Sequence, residues 1–239
     1  MADSAGAQPP PALELDRVGV VNELGLPLLM RIRLTVQAGE ALAVVGRNGS
    51  GKSTLLRVVA GLIAPRSGTV RIAGEDVFSL DYHAQQRVRT RVGMVFERGG
   101  VWANRTIESN ISLPLEYHHP ELDTRKTVRQ VAEELGIDGS LNRPATEADA
   151  SVQRRTLIAR ALVMQPALLL FDEPQHSLTP DEARPVCDAI ERRRTQQRLT
   201  VIYADHDGHV DPFRVDRCVY LAHGQLTNQI PAGQRFSIA

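Results

Sequence analysis

The first part of the chain carries short apolar runs separated by glycine turns, a pattern that predicts β-strands. Leu13–Val21 and Met30–Val36 alternate apolar and polar residues, so each predicts a strand with one buried face. Ala41–Val45 is apolar throughout, which is typical of a strand buried on both faces. Two further short strands are predicted at residues 67–74 and 92–96.

From Arg98 to Val163 helical periodicity replaces strand alternation, notably in Thr124–Leu135 and Val152–Val163. After this lobe the pattern predicts one helix at residues 180–194 and three strands at residues 167–171, 200–203 and 218–222. The run at 167–171 is apolar at every position, as in the centre of a parallel sheet. We therefore predict an α/β fold with a parallel sheet, an antiparallel β edge and an inserted α-helical subdomain.

Composition sets the limits of this fold and its partners. The chain of 239 residues is 42% hydrophobic and 23% charged, which is ordinary for a soluble protein. We expect a disordered Ala/Pro-rich tail at residues 1–11 and one domain over 12–239, with its core at 12–97 and 164–239 and the helical subdomain at 98–163. Zero net charge and 4% aromatic residues argue against a nucleic-acid partner. No run reaches the ~18 apolar residues of a membrane span.

A glycine-rich segment, Gly46–Thr54, fits the pattern G-x-x-x-x-G-K-[ST] of the phosphate-binding loop. It lies between the predicted strand Ala41–Val45 and a helix-compatible run, Leu55–Gly61, which is the context that such a loop requires. Backbone N–H groups and the start of the helix would face an anion. The residues predicted to bind the nucleotide are Asn48, Gly49, Ser50, Gly51, Lys52, Ser53 and Thr54.

Acidic residues follow the buried strand at 167–171. Asp172 at the tip of that strand is placed to bind Mg²⁺ together with the Ser53 hydroxyl, and Glu173 to polarise an attacking water. His206 follows the strand at 200–203, and its distance from Glu173 suits a residue that reaches the γ-phosphate; the alternative is an ordinary polar loop residue.

The ordered set of glycine loop, Glu97, helical lobe, Asp172-Glu173-Pro174 and His206 resembles the nucleotide-binding subunit of an ABC transporter. The resemblance extends from about Leu13 to Gln225 and implies a P-loop NTPase core that binds ATP and Mg²⁺. It implies that Gly46–Thr54 is the Walker A loop and that residues 167–172 are Walker B. Glu173 takes the position of the catalytic glutamate, His206 that of the switch histidine, and Glu97 that of the Q-loop residue and a metal ligand.

The family resemblance also implies partners. Two such chains form a head-to-tail dimer with ATP between the Walker A loop of one and the signature segment of the other, and a separate integral-membrane subunit carries the substrate. We therefore expect a cytoplasmic protein, peripheral on the inner face of the cell membrane. Residues 96–115 are similar to the ATPases of Mla/Mce-type phospholipid transporters, which suggests a lipid or other hydrophobic substrate. Lipoprotein-release and amino-acid-import ATPases have comparable segments, so these remain alternatives.

The signature segment departs from the family pattern. Residues 148–152 read Ala-Asp-Ala-Ser-Val, where the family has Leu-Ser-Gly-Gly and then Gln or a similar residue. Asp149 is expected to N-cap the following helix, while Arg154 and Arg155 are placed to offset part of its charge. Thr179 likewise replaces the aspartate of the D-loop, and neither Val21 nor Asn22 supplies the aromatic that stacks on adenine.

These departures leave two hypotheses about assembly open. In one, the chain forms a heterodimer with another ABC ATPase; in the other, it forms a homodimer with weak hydrolysis. An ATP-binding module that serves as a regulatory or structural switch is the competing functional class.

Overall fold

The computed structural model describes residues 9–206 and 213–227, so residues 1–8 of the predicted tail and residues 228–239 lie outside the described residues. The strands are β1 (Leu13–Val21), β2 (Pro27–Val36), β3 (Ala41–Val45), β4 (Ser67–Ile72), β5 (Glu75–Asp76), β6 (Val92–Val95), β7 (Leu168–Asp172), β8 (Thr200–Asp205), β9 (Arg217–Ala222) and β10 (Gln225–Thr227). The helices are α1 (Lys52–Val59), α2 (Tyr82–Arg89), α3 (Ile107–His118), α4 (Arg125–Glu134), α5 (Ala150–Leu162) and α6 (Pro180–Gln197).

The larger sheet has the order β10-β9-β3-β8-β7-β6, and all its pairs are parallel except β10 with β9. Strands β3, β7 and β8 are buried at every position because they lie at the centre of this sheet. Their register pairs Val45 with Asp205 and Asp172 with Ala204. The carboxyl ends of three central strands therefore meet at one edge of the sheet, which confirms the predicted α/β class.

The smaller sheet is antiparallel, with the order β2-β1-β4-β5. The buried side chains of β1 and β2 belong to one apolar cluster with α1 and with Leu42 and Val44 of β3. This cluster places the start of β2 beside the loop that joins β3 to α1. The antiparallel edge predicted from the alternating strands is therefore a separate sheet that packs on the parallel one.

The segment between β6 and β7 contains α3, α4 and α5 together with two 3-10 turns, at Asp138–Ser140 and Ala145–Glu147. Its apolar side chains are continuous with one face of the larger sheet, because Ile111, Val128 and Ile158 belong to the same buried cluster as Phe171. An ion pair between Arg193 on α6 and Glu134 on α4, with atoms 2.6 Å apart, also joins lobe and core.

Helix α2 lies where the apolar pattern predicts none, and helix α3 lies in the predicted helical subdomain without bounds predicted for it. Helix α2 buries only Ala84 and Val88, so its apolar stripe is too narrow to stand out. Helix α3 contains Pro114 and buries the polar residues Asn110 and Ser112, which obscure its periodicity. Within residues 9–206 and 213–227, no helix combines the length and apolar character needed to cross a membrane.

Candidate functional site

The glycine loop wraps around the side chain of Lys52. Nζ of Lys52 donates to the carbonyl oxygens of Gly46 at 2.6 Å and Arg47 at 3.3 Å. The side chain is only 6% exposed, and burial lowers the pKa of Lys52 against the opposing pull of Glu173, Asp172 and Asp205. A buried ammonium group is thus fixed at the start of α1, inside the turn of the loop.

Two glycines allow this loop to pack against its neighbours. A Cβ at Gly46 would overlap the carbonyl oxygen of Leu221, and one at Gly51 would lie 2.9 Å from the carbonyl oxygen of Leu28. Gly51 also has a φ of 108°, which L side chains rarely adopt. The loop therefore requires glycine at both positions for steric reasons.

Gly224, in the turn between β9 and β10, connects the loop to the antiparallel sheet. Its N–H donates to the carbonyl of Ser50 at 3.1 Å, and its own carbonyl accepts from the N–H of Met30 at 2.7 Å. A Cβ at Gly224 would lie 2.6 Å from the carbonyl oxygen of Leu28. Three segments distant in sequence thus meet at one backbone position.

Asp172, at the end of β7, lies behind the loop and is 3% exposed. Burial raises the pKa of Asp172, while a hydrogen bond from the Ser53 side chain opposes that shift. The structure therefore brings together Ser53 and Asp172, the two residues expected to hold Mg²⁺. A hydroxyl and a carboxylate are oxygen ligands of the kind that Mg²⁺ prefers.

Glu173 and His206 meet at the ends of β7 and β8. Nδ1 of His206 lies 2.9 Å from Oε2 of Glu173. Glu173 has a φ of 50°, and its N–H donates to the carbonyl of Ala204 at 2.9 Å. Burial raises the pKa of Glu173, with the hydrogen bond from His206 opposing the shift and the charge of Asp205 adding to it.

Asp205 is a member of this cluster that the sequence analysis missed. Its side chain is 5% exposed, and its carbonyl accepts from the N–H of Gly46 at 3.2 Å. Ligand atoms of Glu173, Asp205 and His206 lie within 4.8 Å of one another. The position directly before His206, at the end of a central strand, was the available signal.

Glu97 lies just beyond β6 and forms an ion pair with Arg98, with Nε and Oε1 3.0 Å apart. Its side chain is 39% exposed and contributes to the wall of the cleft above the loop. The charge of Glu97 is close enough to help raise the pKa of Asp172, after the larger effect of burial.

The cleft has a volume of about 740 Å³ and is lined by Pro27, Leu28, Met30, Asn48, Gly49, Gly51, Lys52, Ser53, Thr54, Glu97, Glu173, His223 and Gly224. Most of the predicted binding residues line this cleft. Ser50, Asp172 and His206 do not line it. The apolar side of the cleft is formed by Pro27, Leu28 and Met30 of β2, which the sequence analysis did not single out.

Arg154 on α5 has its guanidinium in the interior. Nη2 donates to the carbonyls of Asp172 at 2.8 Å and Glu173 at 2.6 Å, and Nη1 donates to those of Phe96 and Glu97. Burial lowers the pKa of Arg154 to about 10, against the opposing charges of Asp172, Glu173 and Glu97. The side chain therefore remains protonated at neutral pH.

Arg154 and its neighbour Arg155 donate to backbone carbonyls, so the expectation that they offset the Asp149 charge stays a prediction. Nη1 of Arg155 donates to the carbonyls of Leu135 and Gly136. Both guanidinium groups therefore donate to backbone carbonyls of neighbouring chain segments.

Asp149 is the N-cap of α5, as predicted. Its Oδ1 accepts from the N–H of Val152 at 2.8 Å. Nearby, Thr179 caps α6 in a capping box with Glu182, whose Oε2 accepts from the Thr179 N–H at 2.9 Å. The pKa of Glu182 falls to about 2, first through that backbone hydrogen bond and next through one from Ser151. The substituted signature and D-loop positions thus serve to cap helices.

A phosphate loop, a hydroxyl–carboxylate pair and a glutamate–histidine pair at one edge of a parallel sheet define a P-loop nucleotide-binding domain. The family model described as "ABC transporter" matches residues 29–176, more than half of the chain. The chain belongs to the ABC transporter family. The prediction of an ABC-type ATPase domain is confirmed by this membership.

Curated relatives are methionine import ATP-binding proteins. One from Brucella abortus is 33% identical over 207 residues, 86% of this chain and 56% of its own length. One from Mesorhizobium japonicum is 31% identical over 240 residues, covering 99% of this chain and 66% of that protein. The chain thus spans between half and two thirds of the length of these relatives. They give no support to the similarity with Mla/Mce-type lipid ATPases.

Solved structures agree on the fold. The dimeric structure of MJ0796, a bacterial ABC transporter cassette, has a TM-score of 0.84 at 25% identity and covers 90% of this chain and 97% of that chain. A post-hydrolysis structure of the same cassette with ADP and Pi has a TM-score of 0.83 at 25% identity over the same shares. The predicted ABC-type P-loop fold is confirmed.

Proposed function

We propose that the chain is the ATP-binding subunit of an ABC transporter, which binds and hydrolyses MgATP at a dimer interface to power transport by a separate membrane subunit. The observation that carries the proposal is the meeting of Lys52, the Ser53–Asp172 pair and the Glu173–His206 pair at one edge of the sheet. Membership of the ABC transporter family indicates that the reaction is ATP hydrolysis.

The residues of the loop fit a bound triphosphate. Oγ of Ser50 is buried without a hydrogen-bond partner among the described residues, and the Lys52 ammonium donates to two loop carbonyls. Residues 48–54 would bind the phosphates, and Ser53, Asp172 and Glu97 would hold Mg²⁺. When bound, Mg²⁺ neutralises charge on the phosphate oxygens and positions them.

Glu173 and His206 would act on the water and the terminal phosphate. The raised pKa of Glu173 makes its carboxylate a better proton acceptor from the attacking water. His206 holds one oxygen of that carboxylate at 2.9 Å, which leaves the other free to orient the water. Lys52 offsets the charge of the phosphates from inside the loop.

The base of the nucleotide would lie against Pro27, Leu28 and Met30, on the apolar side of the cleft. Residues Val21 and Asn22 offer no aromatic surface, so this aliphatic wall replaces the stacking interaction. Dispersion contacts with aliphatic side chains orient a base less strictly than aromatic stacking does. The site should therefore discriminate only modestly among purine nucleotides.

The membrane subunit would dock on the lobe, where the family places that contact. A groove of about 430 Å³ lies between α3 and α5 and is lined by Arg89, Thr90, Val92, Gly93, Met94, Trp102, Leu113, Pro114, Tyr117, His118, Arg160, Ala161 and Met164. Trp102 is 47% exposed and Tyr117 is 73% exposed at its rim. Exposed aromatic side chains of this size are typical of protein contacts. Through this partner the chain would be cytoplasmic and peripheral on the inner face of the membrane.

The names of the relatives favour an amino acid as the transported solute. An amino acid therefore replaces, as the proposed solute, the lipid that residues 96–115 suggested. The relatives extend well beyond the matched region, so their substrate applies here only as part of this proposal.

A second candidate is an ATP-binding module with little hydrolysis of its own, active as a switch or as half of an asymmetric heterodimer. The Asp149 carboxylate favours it, since it occupies the helix end that would face the partner's phosphate. At about 4 Å and an effective dielectric near 20, one such like-charge contact costs roughly 4 kcal/mol before relaxation.

Hydrolysis by the wild-type chain and by Glu173→Gln separates the two candidates. Both would be assayed in the complex co-purified from membranes, with mass spectrometry naming the membrane subunit and any second ATPase. The proposal expects turnover that Glu173→Gln abolishes while ATP binding persists. Turnover that is absent from the wild-type complex, or that survives the substitution, overturns it.

A further inference from the structure

We infer that Arg154 is a positioning residue that fixes the backbones of Glu97 and Glu173 relative to each other and to helix α5. The expected effect of Arg154 on ATP turnover rests on the proposed function, whereas its positioning role rests on the hydrogen bonds of its guanidinium. The carbonyls of Phe96 and Glu97 lie at the end of β6, and those of Asp172 and Glu173 at the end of β7. One guanidinium bridges both chain segments.

The planar guanidinium suits this task. Each terminal nitrogen serves one pair of adjacent carbonyls, which a single ammonium group could not reach in the same geometry. The side chain is 3% exposed, and the ring of Phe171 lies 5.2 Å from its central carbon. A cation held by four backbone oxygens and one aromatic face has little freedom to turn.

The backbone at Glu173 is the part that most needs support. A φ of 50° at a non-glycine residue is strained and persists only where the surroundings hold it. The N–H of Glu173 donates to the carbonyl of Ala204 at 2.9 Å, and its carbonyl accepts from Arg154 at 2.6 Å and from the N–H of His176 at 3.1 Å. The direction of the Glu173 side chain toward His206 depends on this peptide.

Arg154 also ties the site to the lobe. It lies on α5, the helix that Asp149 caps, while its four acceptors belong to the edge of the sheet. A rotation of α5 relative to the sheet would therefore displace Glu97 and Glu173 together. A shift of about 1 Å in a catalytic group can lower a rate by roughly 100-fold.

The test is amide hydrogen exchange of the nucleotide-free chain, compared between wild type, Arg154→Gln and Arg154→Lys. Arg155→Gln is the matched control. Arg155 is the next residue on the same helix and, like Arg154, donates to backbone carbonyls, but to those of Leu135 and Gly136 instead of those at the edge of the sheet. Exchange is read in peptides that cover residues 96–98 and 173–176. ATP turnover is measured in parallel in the membrane complex.

We expect exchange in both peptides to rise at least about tenfold in Arg154→Gln and to stay within about twofold in Arg155→Gln. The kcat should fall at least about tenfold with KM within about twofold. If Arg154→Gln does not fold, Arg154→Lys, which keeps the charge without the fork, is judged by the same criteria. Unchanged exchange in the two peptides overturns the inference, as does an equal change in the control. A wild-type complex without turnover would defeat the proposed function instead, and the exchange result would still decide the role of Arg154.

Discussion

Nδ1 of His206 and Oε2 of Glu173 lie 2.9 Å apart, although 33 positions separate the two residues in the chain. The contact exists because β7 and β8 are parallel neighbours in register, with Asp172 paired to Ala204. Each side chain follows the end of its strand, so the sheet itself sets the distance between them.

The replacement of His206 by Ala removes this contact and leaves Glu173 free to turn. We expect the turnover number to fall about 100-fold with ATP affinity within about twofold. Steady-state hydrolysis and equilibrium ATP binding measure the two quantities. His119→Ala, an exposed histidine on the lobe, is the control and should leave both unchanged. Equal losses in the two variants would contradict a role for His206.

The charge of Asp205 should be visible in the pH dependence of hydrolysis. Burial raises the pKa of Glu173, and the Asp205 charge raises it further. Asp205→Asn removes that second contribution, so the pKa of Glu173 falls and the acid limb of kcat moves to lower pH. A profile of kcat against pH measures the shift, with Asp123→Asn on the lobe as control. An acid limb that stays in place or moves to higher pH would refute the assignment.

Gly46→Ala should destabilise the domain, because the added Cβ would overlap the carbonyl of Leu221 and lie 2.8 Å from Oγ of Ser50. We expect a loss of about 2 kcal/mol or more in the free energy of unfolding, together with lost ATP binding. Chemical denaturation measures the free energy of unfolding. Gly139→Ala is the matched control, since nothing lies within 4 Å of its Cβ position, and it should change stability by less than about 0.5 kcal/mol.

The ion pair between Glu134 and Arg193 should stabilise the junction of lobe and core. Its side chains are 16% and 9% exposed, so loss of one partner leaves a poorly solvated charge. Glu134→Ala should lower the free energy of unfolding by about 3 kcal/mol. Arg184→Ala, which breaks the exposed pair with Asp181, should cost below about 0.5 kcal/mol. Similar values for the two variants would argue against a structural role of the buried pair.

The substitution Asp149→Ser separates the helix-capping role of Asp149 from the effect of its negative charge. Serine caps helices about as well as aspartate, so the free energy of unfolding should stay within about 0.5 kcal/mol. If two copies of the chain pair head to tail, turnover of the purified chain should rise roughly tenfold, because a hydroxyl donor replaces a negative charge. Turnover that does not rise would favour a heterodimer with another ABC ATPase. Asp138→Ser, on the surface of the lobe, is the control.

The sequence was sufficient for the parts of the fold that repeat a simple pattern. The apolar runs of β3 and β7 and the glycine loop between β3 and α1 are strong local signals, and the family resemblance joined them in order. Asp149 was placed correctly because an N-cap is decided within one helical turn.

The remaining features depend on contacts between distant segments. Arg154 reaches carbonyls 57 and 58 positions away in one direction and 18 and 19 in the other, which no local pattern encodes. Asp205 directly precedes His206 in the sequence, but its contact with Gly46 of the phosphate loop exists only because β8 lies beside β3. The strand β10 has three residues, too few for a periodicity.

The turn at Gly224 has a mechanical consequence. Its N–H donates to the phosphate loop while its carbonyl accepts from the first half of β2, so one residue links the two ends of the cleft through adjacent peptide groups. A displacement of the loop at Ser50 would therefore act on β2 at Met30 through Gly224, without passing through the helical lobe.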